Sequence, residues 1–219
     1  MSDGTAVRLE PHEIALLGDG PRAAVTVAVA VVELYLRGLA EADLPGTIRA
    51  GGADAVEAVE AGQPPSPLAA AVHACLRAPA APTALVKDPE VHRAVAVMRV
   101  PLAEAGLLRR PLLGATRAAR RHVRDLRRGH PLPASRHGLT DRERLLLVAL
   151  HGEGALRLLV PRFALRAGLV RRAEVGRAAL LKDAPRGTTG GGGAFLSCGG
   201  RGRRQRVRRP APFEGAGNG

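Results

Sequence analysis

Residues 9–39 read LEPHEIALLGDGPRAAVTVAVAVVELYLRGL, and the fold follows from this stretch. The spacing predicts a short helix, a turn at Gly18-Asp19-Gly20, and a long helix from Pro21 to Arg37 closed by Gly38. Proline is favoured at the first helical position and glycine just past the last. Val25, Val29, Val32 and Leu36 recur at helical spacing, while Ala and Val on the other faces make the helix apolar nearly all round. Such a helix belongs in the middle of a domain.

The chain has 219 residues, enough for one or two small cored domains. Its residues are 46% hydrophobic but only 2% aromatic, so the core has to be built from Ala, Val and Leu, which favours packed helices. Cys75 and Cys198 cannot make a disulfide framework, and no Cys-x-x-Cys pair suggests zinc. A reducing cytoplasm is the expected setting. Residues 1–20 carry no basic segment ahead of an apolar core, so no secretory signal is expected. The run Ala23 to Val32 reaches about half of the roughly 20 residues a bilayer requires, and Glu33 ends it. No transmembrane segment is expected.

Charge divides the chain. Residues 1–66 hold ten acidic residues against four arginines, although the whole chain carries +13. A strongly basic remainder fits an anionic partner, or attraction between the two parts of one molecule.

After Gly38, residues 39–49 predict a hairpin turning at Pro45-Gly46. Ser66-Pro67 opens a second helix with a stripe of Leu68, Val72, Cys75 and Leu76, and Asp88-Pro89 caps another that runs to Gly106, with Pro101 expected to kink it. Helix, short helix, long helix, strand is a winged-helix order. Thr140 and Glu143 form a capping box for a helix to Leu150, ended by Gly152 and Gly154. A further helix is expected near residues 155–167, and residues 171–181 are expected to complete the folded part. Three helix ends read Gly-Leu, at residues 38, 106 and 168, which hints at a degenerate repeat. The expected fold class is mostly α, with winged-helix-like units, short β-hairpins and a disordered C-terminal tail. Its parts are an acidic helix and hairpin unit (1–63), a winged-helix-like unit with a basic helix (64–129), a linker (130–139), a C-terminal helical unit (140–184) and a Gly/Arg-rich tail (185–219).

Catalytic signals are sparse. His73 and Cys75 lie two apart on a helix and point to different faces, so a shared metal is not expected. Ser135, His137 and Asp141 are the residue types of a triad without the Gly-x-Ser-x-Gly elbow that would present a nucleophile. Gly18-x-Gly20 lacks the preceding strand of a dinucleotide fingerprint. No catalytic residue, metal ligand or cofactor is assigned, and no enzymatic role is expected.

The candidate site is basic. Arg117, Arg120, Arg121, Arg124, Arg127 and Arg128 recur at three- and four-residue spacing over a helix from about 115 to 128, opposite a narrow stripe of Ala119, Val123 and Leu126. This face is expected to meet either an anionic partner or the acidic first segment. A second basic run, Arg201, Arg203, Arg204, Arg206, Arg208 and Arg209, lies in the tail and could hold RNA or anionic lipid, though no aromatic residues are interleaved for base stacking.

The opening segment, with Leu9, Pro11, Glu13, Ala15, Leu17, Gly18, Gly20 and Arg22 before an alanine-rich helix ending in Arg37-Gly38-Leu39, resembles the start of an uncharacterised family of membrane proteins from high-GC bacteria. The resemblance extends to residues 105–108, to Thr116-Arg117-Ala118-Ala119-Arg120-Arg121 and to the Gly/Cys-rich segment 190–200. It implies a soluble helical part of a membrane-associated protein, although the transmembrane helices usual in the family are not expected here. It also gives the tail arginines another origin, since GGC glycine codons read two bases out of frame become CGG. A weaker likeness is to bacterial relatives of the Golgi phosphoinositide-binding phosphoproteins, in the size of the helical units and the basic surface. The expectation is a non-enzymatic binding or scaffold protein that docks an anionic membrane surface or a protein partner, cytoplasmic and peripheral to the inner face of the membrane. A winged-helix nucleic-acid-binding protein and an anionic-lipid-binding protein are the alternatives.

Overall fold

The computed structural model describes residues 9–19, 23–52, 64–109 and 114–170, all within one compact unit that ends at Ala173. Among the described residues the protein is mostly helical, with one two-stranded sheet. The order is α1 (Pro11–Asp19), α2 (Ala24–Leu36), β1 (Ala40–Ala42), β2 (Ile48–Ala50), α3 (Pro67–Cys75), α4 (Pro82–Leu85), α5 (Pro89–Glu104), α6 (Arg117–Gly129), α7 (Asp141–His151), α8 (Glu153–Leu159) and α9 (Pro161–Arg166). The segment expected over 171–181, and the whole tail with its six arginines, lie outside the described residues.

Helix α2 is central, as its composition requires. Every residue from Thr26 to Leu34 is buried, because α1, α3, α4 and α7 pack around it. Its turn-by-turn Ala and Val content lets neighbours approach on all sides. Val25 and Leu36, expected in the core, are only partly buried at its two ends. Helix α1 runs further than its glycine suggested. Gly18 and Asp19 remain helical because α1 is held by α2, α6 and α7, and α2 begins at Ala24, behind Ala23 in the left-handed region at φ 51°.

The hairpin forms as expected, with Ala40 opposite Ala50 and Ala42 opposite Ile48. Its outer edge is closed by a backbone pair that the sequence did not announce, Ile48 with Ala80, through N–H···O bonds of 2.9 and 2.8 Å. Such pairing protects a short edge strand. Ser66 caps α3 by accepting from the Ala69 amide, and Asp88 caps α5 by accepting from that of Glu90. Helix α5 continues through Pro101 to Glu104.

The three Gly-Leu helix ends share one geometry. Gly38, Gly106 and Gly168 take φ of 76°, 70° and 73°, and the leucine after each donates its amide to the carbonyl five residues earlier, at 2.8 to 2.9 Å. This is the left-handed helix stop for which glycine is the inexpensive residue. Ordinary capping chemistry therefore accounts for the recurrence.

Two features of the C-terminal part differ from the sequence reading. Gly154 does not end a helix but lies inside α8, and the single helix expected over 155–167 is two, broken at Val160-Pro161. Proline lacks the amide that a continuous helix would need there and instead starts α9. The capping box of α7 is complete, with the Glu143 amide donating to Thr140 Oγ1 and the Thr140 amide donating to Glu143 Oε2 at 2.7 Å.

Candidate functional site

Helix α6 starts at Arg117, two residues later than expected, because Ala115 pairs with Leu108 and Thr116 caps the helix through the Ala119 amide. Ala119 and Val123 are buried and Leu126 partly so, which sinks the apolar stripe against α1 and α7. All six candidate arginines, Arg117, Arg120, Arg121, Arg124, Arg127 and Arg128, are exposed.

Only Arg128 among the six has an ion pair with a described residue, Asp125 at 3.0 Å on the same helix, and Arg124 Nε donates to the Arg120 carbonyl. The ion pair that reaches the acidic first segment comes instead from α7, Arg142 to Glu10 at 3.3 Å. Among the described residues, no arginine of α6 pairs with a carboxylate of the acidic first segment. Like charges three or four apart oppose a helix by roughly 0.2–0.5 kcal/mol per pair.

A second constellation was not legible in advance. Glu33, on the apolar helix α2, is 3% exposed, and its carboxylate joins three elements. Oε2 accepts from Ser66 Oγ at 2.7 Å and faces His12 Nε2 at 3.0 Å; Oε1 accepts from the Ser66 amide at 2.9 Å and pairs with Arg37 at 3.0 Å. Burial alone would raise its pKa, but the hydrogen bonds from His12 and from the Ser66 amide and hydroxyl outweigh burial and hold it at about 2. Ser66 Oγ also lies 3.3 Å from His12 Nε2, so serine, histidine and glutamate meet. In a nucleophilic triad the acid and the serine engage different imidazole nitrogens, whereas here both lie against Nε2 and the hydroxyl points its proton at Glu33. The arrangement is a polar clamp on α1, α2 and the cap of α3. Its signal in the sequence was a lone carboxylate on a helix with no polar face, which has to find partners.

The triad candidates do not assemble. Ser135 Oγ accepts from the His137 backbone amide at 3.2 Å, and Asp141 pairs with Arg144 at 3.3 Å. Among the described residues no group of three His, Cys, Asp or Glu side chains could hold a metal ion.

Cys75 is partly buried against the core, and burial followed by the Asp88 carboxylate pushes its thiol up to about 11. Two units above the ordinary value means about 100-fold less thiolate at pH 8, partly offset by greater nucleophilicity, so alkylation should be about tenfold slower than for a small free thiol. Iodoacetamide labelling of a Cys198→Ala variant, followed by mass spectrometry from pH 7 to 10, checks this. Labelling as fast as glutathione at pH 8 would contradict it.

Comparison of the chain with family models, with curated proteins and with solved structures finds no match. No described helix is long and apolar enough to cross a membrane.

Proposed function

We propose that the protein is a non-enzymatic binding module that docks on an anionic membrane surface through the arginine face of α6. The observation that carries the reading is one helix with its apolar seam sunk into the core and six exposed arginines outside it. The resemblance of the opening segment to a membrane-associated family favours lipid over other polyanions. The helix and hairpin order of residues 11–50, and the three helices and extended stretch of 67–109, support describing the parts as winged-helix-like units. Nucleic-acid recognition by α5 is the weaker use of that architecture. Arg93 on α5 is held by Glu90 at 2.6 Å, and the same helix exposes Val97 and Val100.

Arginine near an anionic bilayer contributes roughly 1 kcal/mol before screening, so removing three charges should weaken binding at least tenfold. The test is sedimentation of the full chain with vesicles of phosphatidylglycerol and phosphatidylcholine, and with phosphatidylcholine alone. Three proteins are compared: the parent, R120Q/R124Q/R127Q, and a tail variant R203Q/R204Q/R206Q. The expected result is salt-sensitive binding of the parent to anionic vesicles only, reduced most by the helix substitutions. Equal binding of parent and helix variant, or none by the parent, overturns the proposal.

A further inference from the structure

On a different part of the surface, the end of α2, the 130–139 connection, the start of α7 and the α8–α9 corner border an open cleft of about 900 Å³. Drug-sized ligands occupy sites of roughly 300–1,000 Å³, so the volume is that of a small-molecule site. Its charge is one-sided. Arg136, Arg144 and Arg162 line it together with His137 and Ser135, and among the described residues no carboxylate does. Arg144 is paired with Asp141, whereas neither Arg136 nor Arg162 has a carboxylate partner among the described residues. Three separate elements deliver these guanidinium groups to one hollow, unlike the single-helix face of α6.

The rest of the wall is aromatic and apolar. Tyr35 stacks on Phe163 with ring centroids 4.0 Å apart and planes 14° from parallel; Phe163 is buried, but Tyr35 is 38% exposed at the cleft. The Val160-Pro161 break turns the chain so that Arg162 and Phe163 reach the same wall. Guanidinium forks match phosphate oxygens, and clustered arginines suit adjacent phosphates best.

We infer that this cleft binds the oligophosphate group of a soluble small molecule, two or more linked phosphates held by Arg136, Arg144 and Arg162, with the organic part resting on Tyr35. A nucleoside diphosphate and free inorganic pyrophosphate present the same charged group, and the test separates them.

The chain itself supplies the reporter. It has one tyrosine and no tryptophan, so tyrosine emission reads the cleft alone. Inorganic pyrophosphate is titrated into the full chain while Tyr35 fluorescence is followed, and a nucleoside diphosphate, which absorbs near the excitation wavelength, is titrated by calorimetry. The expected result is saturable binding of pyrophosphate below about 1 mM, weakened at least tenfold in R136Q/R162Q and kept in R120Q/R124Q/R127Q. Both substituted arginines of the first variant are exposed, so the fold should stand. Tighter binding of the nucleoside diphosphate than of pyrophosphate assigns the organic part to Tyr35, and equal binding assigns recognition to the phosphates alone. No saturable tyrosine change, or an unchanged titration in R136Q/R162Q, overturns the inference. Loss in the α6 variant instead of the cleft variant also overturns it, because binding would then belong to the helix face.

Discussion

Glu33→Ala is expected to cost roughly 3–5 kcal/mol at pH 7, the cost of removing one partner from a buried charged network. The substitution removes the acceptor for the Ser66 amide and hydroxyl and the partner of His12, which is only 6% exposed. Arg37 suffers less, since its side chain is 28% exposed and can rehydrate. Urea unfolding followed by circular dichroism measures the change, and a loss below about 1 kcal/mol would show that the clamp contributes little to stability. The pH dependence follows from the same carboxylate. Its folded pKa of about 2 lies below the ordinary 4.5, so its contribution is fully present above pH 4.5 and is lost as pH falls towards 2. The shift corresponds to about 3 kcal/mol. Glu33→Gln keeps the shape without the titrating group, and its stability should fall less steeply over that window. Parallel acid limbs for parent and variant would assign the acid sensitivity elsewhere.

Gly51→Ala is expected to cost about 3 kcal/mol through a collision that no side-chain rotation relieves. A Cβ at residue 51 would lie 2.0 Å from the Gly38 carbonyl oxygen and 3.1 Å from the Leu39 carbonyl carbon, all backbone. The Gly51 amide donates to the Leu39 carbonyl at 2.8 Å, so retreat loses a hydrogen bond and pulls the exit of β2 from the end of α2. Leu39 and Ile48, both buried, would shift with it. Gly52→Ala is the control: nothing lies within 4 Å of its added methyl group, and its effect should stay within about 0.5 kcal/mol. Similar melting of the two variants would refute the steric account.

Local chemistry made much of the fold legible. Ser66-Pro67, Asp88-Pro89 and the Thr140 to Glu143 box mark their helix starts because caps satisfy amides within three residues, and the three Gly-Leu stops are equally local. The misread features depend on distant partners. Gly18 stays helical because of what packs on α1, and the Ile48 to Ala80 pairing joins residues 32 apart in sequence. The arginine face of α6 was visible because it is a periodicity on one helix. The cleft was not, since Tyr35, Arg136 and Arg162 have no common pattern until the chain folds. The Glu33 clamp likewise draws on residues 12, 33 and 66.

The hairpin tip is fastened by the far end of the described chain. The Gly46 amide donates to the Arg166 carbonyl at 2.7 Å, and α2 needs α7 as part of its cover. During synthesis, then, the most apolar helix leaves the ribosome long before its last covering partner exists. At roughly 5–20 residues per second the interval between residues 36 and 151 is on the order of ten seconds. Elongation rate thus sets how long the nascent chain carries an open apolar surface, and a pause over residues 110–140 lengthens the exposure that holdase chaperones have to cover.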